Sequence, residues 1–170
     1  MKTFKIFSLL LLLVGSLSVA SAQKLGYTNS AAILIEMPET KQADSQLQAF
    51  QKQLEAKGQQ MASELQEGYA KYQQDMEAGV LSAVQQKQRE QDLAQKEQAL
   101  QKFQQEAYQK LAQKREELYG PILEKLQKAI DAVGKEHGYA FIFDVSSLNF
   151  ILFAEESDDV TDLIKAKLGL

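Results

Sequence analysis

Few side chains in this sequence have the chemistry for catalysis or metal binding. The chain has no Cys and a single His, His137, so it cannot form a Cys–His nucleophile pair or a metal site with several His ligands. We interpret His137 as a loop histidine. Asp144 ends a predicted strand, where a carboxylate is expected to accept a hydrogen bond from a turn amide rather than act as a general acid or base.

An acidic cluster lies just before the last predicted helix and consists of Glu155, Glu156, Asp158 and Asp159. It lacks the alternating ligands, the Gly and the distal Glu of a calcium loop, so a favourable interaction with the helix dipole is the better interpretation. The glycines match no phosphate-binding loop. The sequence therefore predicts a protein that is not an enzyme and needs no cofactor or metal.

The first 22 residues have the layout of a cleaved secretory signal peptide. Lys2 and Lys5 precede an apolar stretch, residues 6–14, and the small residues Ala20-Ser21-Ala22 follow. The apolar stretch is short for a membrane anchor, which is the competing interpretation and would need about 20 apolar residues. We therefore predict a soluble exported protein without stable membrane insertion.

The charge of the processed chain argues against two classes of partner. Without Lys2 and Lys5 the 19 basic residues fall to 17, against 23 acidic residues, for a formal net charge of −6. Nucleic acids and anionic membranes both favour positive proteins. We expect neither as a partner.

Residues 41–115 have the composition of solvated helix, with 21 Gln, no Pro, three Gly and nearly balanced charges. Apolar residues recur there in steps of three, four and seven, which is typical of a narrow coiled-coil seam. The seam residues of the first half are Leu47, Phe50, Leu54, Met61, Leu65, Tyr69, Tyr72 and Met76. Those of the second half are Leu93, Leu100, Phe103, Ala107, Leu111, Leu118, Ile122, Leu126, Ile130 and Val133.

Gly79 lies between the two halves and can end a helix. We predict an antiparallel helical hairpin, an arm over residues 41–120 with its tip near Gly79. One continuous helical rod is the alternative, because Gly costs only about 1 kcal/mol inside a helix. Gly120-Pro121 predicts a kink or a restart of the returning helix, which should end between Gly134 and Gly138.

The segment YAFIFDVSSLNFILFA, residues 139–154, predicts an antiparallel β-hairpin that turns at Ser146-Ser147. Alternation would place Tyr139, Phe141 and Phe143 on one side of the first strand and Ile142 and Asp144 on the other. Strands that are apolar on both faces are normally covered on both. The other strand candidate is residues 25–28, followed by a helix that Asn29 or Ser30 would cap before Pro38.

Three short strands and a last helix, residues 160–168, cannot cover these side chains alone. We therefore predict that other subunits complete the sheet. The body would comprise residues 23–40 and 121–170. The predicted oligomer core is Leu25, Tyr27, Phe141, Phe143, Phe150, Leu152 and Phe153.

In this layout the sequence resembles the Skp/OmpH family of periplasmic chaperones. The resemblance covers residues 23–170 and rests on LGYTN (25–29), the polar hairpin, YAFIFD (139–144), NFILFA (149–154) and DVTDLIKAKL (159–168). It implies an α+β, predominantly α fold: a long antiparallel coiled-coil arm inserted in a small β-rich oligomerisation body, assembled as a homotrimer. Better-known members of the family are strongly basic, whereas this chain is acidic, so an association with lipopolysaccharide or anionic lipid is not carried over.

The resemblance also implies a function, that of an ATP-independent periplasmic holdase that keeps unfolded outer-membrane β-barrel proteins in a cavity between the arms. Candidate client contacts lie on the seam near the tip and at the tip itself: Tyr69, Tyr72, Met76, Val80, Leu81 and Val84. A different class of function stays open, that of a structural envelope spacer whose coiled coil binds no client.

Overall fold

The computed structural model describes residues 23–146 and 151–170. Within these residues, two strands and four helices follow one another. They are β1 (Lys24–Thr28), α1 (Ser30–Glu36), α2 (Pro38–Glu77), α3 (Ala83–His137), β2 (Tyr139–Asp144) and α4 (Thr161–Leu168), with a 3₁₀ turn at Glu156–Asp158. The predicted signal peptide, residues 1–22, lies outside the described residues.

Helices α2 and α3 form the predicted antiparallel hairpin, and the continuous rod is excluded. Gly58 faces Phe103, and Gly68 faces Leu93. Between these two contacts α2 advances by ten residues while α3 goes back by ten. The two helices therefore run antiparallel with a constant register. With 40 residues, α2 is about 60 Å long.

The tip of the hairpin is a tight turn built by Gly79 and Ser82. Gly79 has a φ of 66°, a left-handed conformation that favours glycine, and Val80 N donates to Asp75 O at 3.2 Å. Ser82 Oγ then accepts from Gln85 N, and Gln85 Oε1 accepts from Ser82 N at 2.9 Å, which is a capping box. Both ends of the turn thus have local partners for backbone groups that the helices leave free.

The expected restart at Gly120-Pro121 is wrong, because α3 runs through Pro121 without interruption. Proline removes one helical hydrogen bond, but its neighbours bury apolar surface on the same helix. Ile122 packs with Met37 and Ala43, and Leu118 packs against that cluster. Tertiary packing here outweighs the local preference.

The sheet of the described residues has two parallel strands, and the predicted antiparallel hairpin partner of β2 is wrong. Residues 151–154 are not a strand, while Ser147, Leu148, Asn149 and Phe150 lie outside the described residues. Instead β1 pairs with β2, with Leu25 opposite Phe141 and Tyr27 opposite Phe143. On its other edge β1 contacts the segment before α4, where Val160 N donates to Tyr27 O at 2.9 Å.

The predicted alternation in β2 is wrong for one residue, Tyr139. The register shifts between Lys24 and Leu25, which places an extra residue, Ala140, in β2 as a bulge. Tyr139 therefore packs with the core, and its ring lies 3.0 Å from the position of a Cβ on Gly26. Beyond the bulge, Ile142 faces the helices, while Phe141 and Phe143 face away from them.

The main core of the body joins both ends of the described chain. Its buried residues come from α1, the last turns of α3 and α4 with its cap: Ile33, Leu126, Ala129, Val133, Val160 and Ile164. Val160 occupies the N-cap position of α4 without a side-chain capping bond. Asn29 caps α1 through a bond from Ala32 N to Asn29 Oδ1 at 3.0 Å. Helix α3 ends at His137 with Gly138 as its cap, within the predicted interval.

Candidate functional site

One face of the sheet presents apolar side chains to solvent. Leu25 and Tyr27 on β1 lie beside Phe141 and Phe143 on β2, because paired residues of neighbouring strands point to the same face. Leu25 is 45% exposed and Phe141 is 58% exposed. The rings of Phe141 and Phe143 are stacked, with centroids 6.2 Å apart. Four of the residues predicted to form the oligomer core therefore share one face.

The segment after β2 extends this surface. Leu152 is 94% exposed and Phe153 is 80% exposed. A shallow groove of about 180 Å³ joins Phe153 to the sheet face, lined by Leu25, Tyr27, Phe143 and Ile151 among others. Phe150, the remaining predicted core residue, lies outside the described residues. We use "sheet face" below for Leu25, Tyr27, Phe141, Phe143 and Phe153.

The acidic cluster after the sheet face interacts with Tyr27 and with the start of α4. Partial burial and then the charges of Asp159, Glu156 and Asp158 raise the pKa of Tyr27 above its ordinary value. Asp159 Oδ1 also accepts from Thr161 N at 2.8 Å, at the start of α4. In the part of the chain that the structure describes, no three acidic, Cys or His side chains are grouped for a metal ion.

Asp144 has the structural role predicted for it, and its partners extend further than the turn. Its carboxylate accepts from Ser146 N at 3.0 Å and from Ser146 Oγ at 2.9 Å. It also accepts from Ser30 N at 3.2 Å and from Ser30 Oγ at 2.5 Å. Burial alone would raise the pKa of Asp144, but the bonds from the two serines outweigh it and hold the pKa below its usual value. The lowered pKa disfavours a role for Asp144 as a general acid at neutral pH.

His137 is the last residue of α3, so the interpretation as a loop histidine is corrected by one position. A histidine in the last turn of a helix interacts favourably with the helix dipole when it is protonated. The centroid of its ring lies 6.5 Å from that of Tyr139.

The predicted client contacts differ in how accessible they are. Val84 at the tip is 78% exposed and Val80 is 64% exposed, whereas Leu81 is half-buried. On α2, Tyr69 and Met76 are partly exposed at 42% and 40%. Tyr72 is half-buried and donates to Glu90 Oε1 at 2.7 Å, a bond that raises the pKa of Tyr72 together with its burial. The valines at the tip are thus the most open of the six.

Two features of the arm escaped the sequence pattern. Tyr108 on α3 is 79% exposed, and it was missed because it lies beside the apolar stripe rather than on it. Gly58 lies between Leu54 and Met61, where the stripe skips a position that a helix would direct toward the partner helix. The step of seven from Leu54 to Met61 was the signal in the sequence that could have revealed Gly58 as a seam position.

Within the described residues, no helix has the length and hydropathy needed to cross a membrane.

A long helical hairpin on a small body with an uncovered apolar sheet face defines a class of arm-bearing proteins, and comparison with known proteins identifies the family. The model described as "Outer membrane protein (OmpH-like)" matches residues 24–168. The chain therefore belongs to the OmpH-like family, that of the Skp/OmpH chaperones.

Two relatives agree with this assignment. Chaperone protein Skp of Pectobacterium atrosepticum is 28% identical over 159 residues, which is 91% of this chain and 92% of that protein. The crystal structure of an OmpH-like outer membrane chaperone from Caulobacter crescentus has a TM-score of 0.72 at 16% identity, over 87% of this chain and 85% of the other. The structural likeness supports the predicted fold class.

Proposed function

We propose that this protein is an ATP-independent holdase of the periplasm, which binds unfolded outer-membrane β-barrel proteins between its arms and prevents their aggregation. The proposal carries over to this chain the chaperone activity that the name of Chaperone protein Skp expresses, and the outer membrane that the names of the family and of the Caulobacter chaperone mention. A structural spacer without clients is not favoured, because the relative that matches 91% of this chain is named as a chaperone.

The observation that carries the proposal is the surface of the arm. It is largely polar and extends about 60 Å, and its apolar exposure is scattered, with Val80 and Val84 at the tip. A long surface with many weak contacts can hold an unfolded chain by avidity without tight binding at any one point. Scattered exposure also limits aggregation of the holdase itself.

The sheet face supports assembly into a homotrimer. Leu25, Phe141 and Phe143 are exposed in one copy, and burying a Leu or Phe side chain is worth about 1.5 to 3 kcal/mol. Packing this face against sister copies would bury it. The cavity that we propose for a client would then lie between the arms of the assembled copies.

The proposal is tested by diluting a urea-unfolded outer-membrane β-barrel protein into buffer with and without this protein, and following light scattering. Stoichiometric trimer should suppress the aggregation without any nucleotide. A variant with Val80→Ser, Leu81→Ser and Val84→Ser should suppress it less, because three apolar contacts at the tip are lost.

A matched control places the same change elsewhere. Ile35 on α1 is 69% exposed but belongs to the body, so Ile35→Ser should keep full activity. Unchanged client aggregation in the presence of wild-type trimer would overturn the proposal.

A further inference from the structure

The seam between α2 and α3 contains two glycines, and they differ in what faces them. Gly58 and Gly68 both lie at seam positions, since they face Phe103 and Leu93 across the hairpin. Leu93 fills the space at Gly68: its Cδ2 lies 2.8 Å from where a Cβ of Gly68 would be, and its residue is only 6% exposed. The seam is closed at that level.

The seam is open at Gly58. A groove of about 530 Å³ lies there between the helices. Its apolar walls are Leu54, Phe103, Ala107 and Leu111, and the exposed Tyr108 ring also lines it. The opening arises from two small residues in adjacent levels of the seam, Gly58 on α2 and Ala107 on α3. A larger side chain at either position would fill it.

The groove lowers the stability of the arm, because it adds no packing contacts between α2 and α3. Glycine is unfavourable in a helix interior, and a space that leaves Leu54 and Phe103 without close neighbours on one side forfeits their contacts. A leucine at residue 58 would remove both costs. The opening is therefore a candidate for a binding feature rather than a structural one.

The rim of the groove selects the chemistry of an occupant. Gln51, Glu55 and Gln104 line it, and no basic side chain does. Gln51 Nε2 donates to Glu55 Oε1 at 2.8 Å, which fixes an acceptor-rich edge. Such a rim can hydrogen-bond a peptide backbone and favours a neutral or basic segment, and its carboxylate disfavours anionic lipids and acidic peptides. Phe103 and Tyr108 both line the groove, and their rings favour contact with another aromatic side chain.

We propose that this groove is an anchor site for a single aromatic side chain of an unfolded polypeptide. The ring would insert beside Gly58 against Phe103 and Tyr108, with the adjacent backbone along Gln51, Glu55 and Gln104. The inference rests on the proposed function, since it names the chemistry by which the arm recognises part of a client. It places this contact partway along the arm rather than at the tip.

The test uses fluorescence anisotropy of two labelled, unstructured peptides of Gly, Ser and Lys, which differ only in a central Phe or Ala. Wild-type protein should bind the Phe peptide about five- to tenfold more tightly than the Ala peptide, as partial burial of one ring predicts. Gly58→Leu, which fills the groove, should abolish this difference. Tyr108→Ala should reduce it without disturbing the fold, since the ring is 79% exposed.

The matched control is Gly120→Leu, which adds the same side chain to α3 where no atom lies within 4 Å of a new Cβ. It should bind both peptides like the wild type. Equal binding of the Phe and Ala peptides by wild-type protein would overturn the anchor site, as would a Gly58→Leu protein that keeps the wild-type preference.

The aggregation assay separates the two proposals. If wild-type protein suppresses client aggregation while Gly58→Leu keeps the wild-type preference for the Phe peptide, only the anchor site fails. If wild-type protein prefers the Phe peptide but leaves client aggregation unchanged, the holdase function fails and the groove remains a peptide site.

Discussion

Ser30 Oγ donates a 2.5 Å hydrogen bond to Asp144 Oδ2 across 114 positions of sequence. Ser30 begins α1, directly after β1, and Asp144 ends β2, so the bond joins the carboxyl ends of two parallel strands. The whole arm lies between these two residues in sequence. The Asp144 carboxylate thus links the part of the body that precedes the arm to the part that follows it.

Replacing Asp144 with Asn should destabilise the protein by about 1 kcal/mol at pH 7, since charge-assisted bonds are lost at a site that solvent partly screens. The folded state lowers the pKa of Asp144, so its contribution is present above the ordinary value of 3.8 and is lost as the pH falls through the folded pKa. Urea unfolding followed by circular dichroism should show a difference between variant and wild type at pH 7 that shrinks toward pH 2 to 3. A difference that stays constant over this range would contradict the assigned role.

A charge on the sheet face should dissociate the proposed assembly. Phe143→Glu places a carboxylate where apolar side chains would meet, and burying an unpaired charge is strongly unfavourable. We expect native mass spectrometry and sedimentation to show a shift from trimer to monomer at micromolar concentration.

The control for this variant is Val84→Glu at the tip, where the side chain is 78% exposed. It should leave the mass unchanged and weaken client holding. A Phe143→Glu protein that remains a trimer would remove the sheet face from the interface.

The two seam glycines should respond differently to alanine. At Gly58 a Cβ would lie 3.4 Å from the Phe103 ring, close to ordinary contact, so Gly58→Ala should raise stability by about 0.5 to 1 kcal/mol through helix propensity. At Gly68 the buried Leu93 must move, and the same propensity gain should be offset or reversed. Thermal unfolding of both variants at equal concentration measures the difference, and equal stabilisation would mean that Leu93 adapts freely.

Pro121 should be a site at which stability can be gained. It is exposed and lies inside the continuous α3, where proline costs up to about 3 kcal/mol relative to alanine. Pro121→Ala should therefore raise the melting temperature without changing the oligomer mass. A lower melting temperature would indicate that the packing of Ile122 depends on the geometry that proline imposes.

Periodicity was sufficient to predict the elements with strong local signals. The spacing of apolar residues on α2 and α3 predicted two helices, and Gly79 predicted the turn. Asn29 or Ser30 was predicted to cap α1, and the cap is Asn29. Each of these signals acts within a few residues, through side-chain position on a helix or through a capping bond. The helical hairpin could therefore be predicted from sequence.

Pairing between distant segments could not be predicted in the same way. Tyr139–Asp144 reads as half of a local hairpin, but β2 instead pairs in parallel with β1 on the far side of the arm. The bulge that turns Tyr139 toward the core depends on that pairing, and so does the bond between Ser30 and Asp144. The groove at Gly58 was likewise hidden, because an opening depends on what the opposite helix supplies.

The parallel pairing of β1 and β2 has a consequence for the order of events during synthesis. Lys24–Thr28 leaves the ribosome long before Tyr139–Asp144, and it cannot pair with that strand until residue 144 of 170 has been made. The two arm helices need only each other and can zip together from their common turn, whereas the pairing that closes the body must bridge a very long loop. The arm can therefore form during synthesis before the body that carries it.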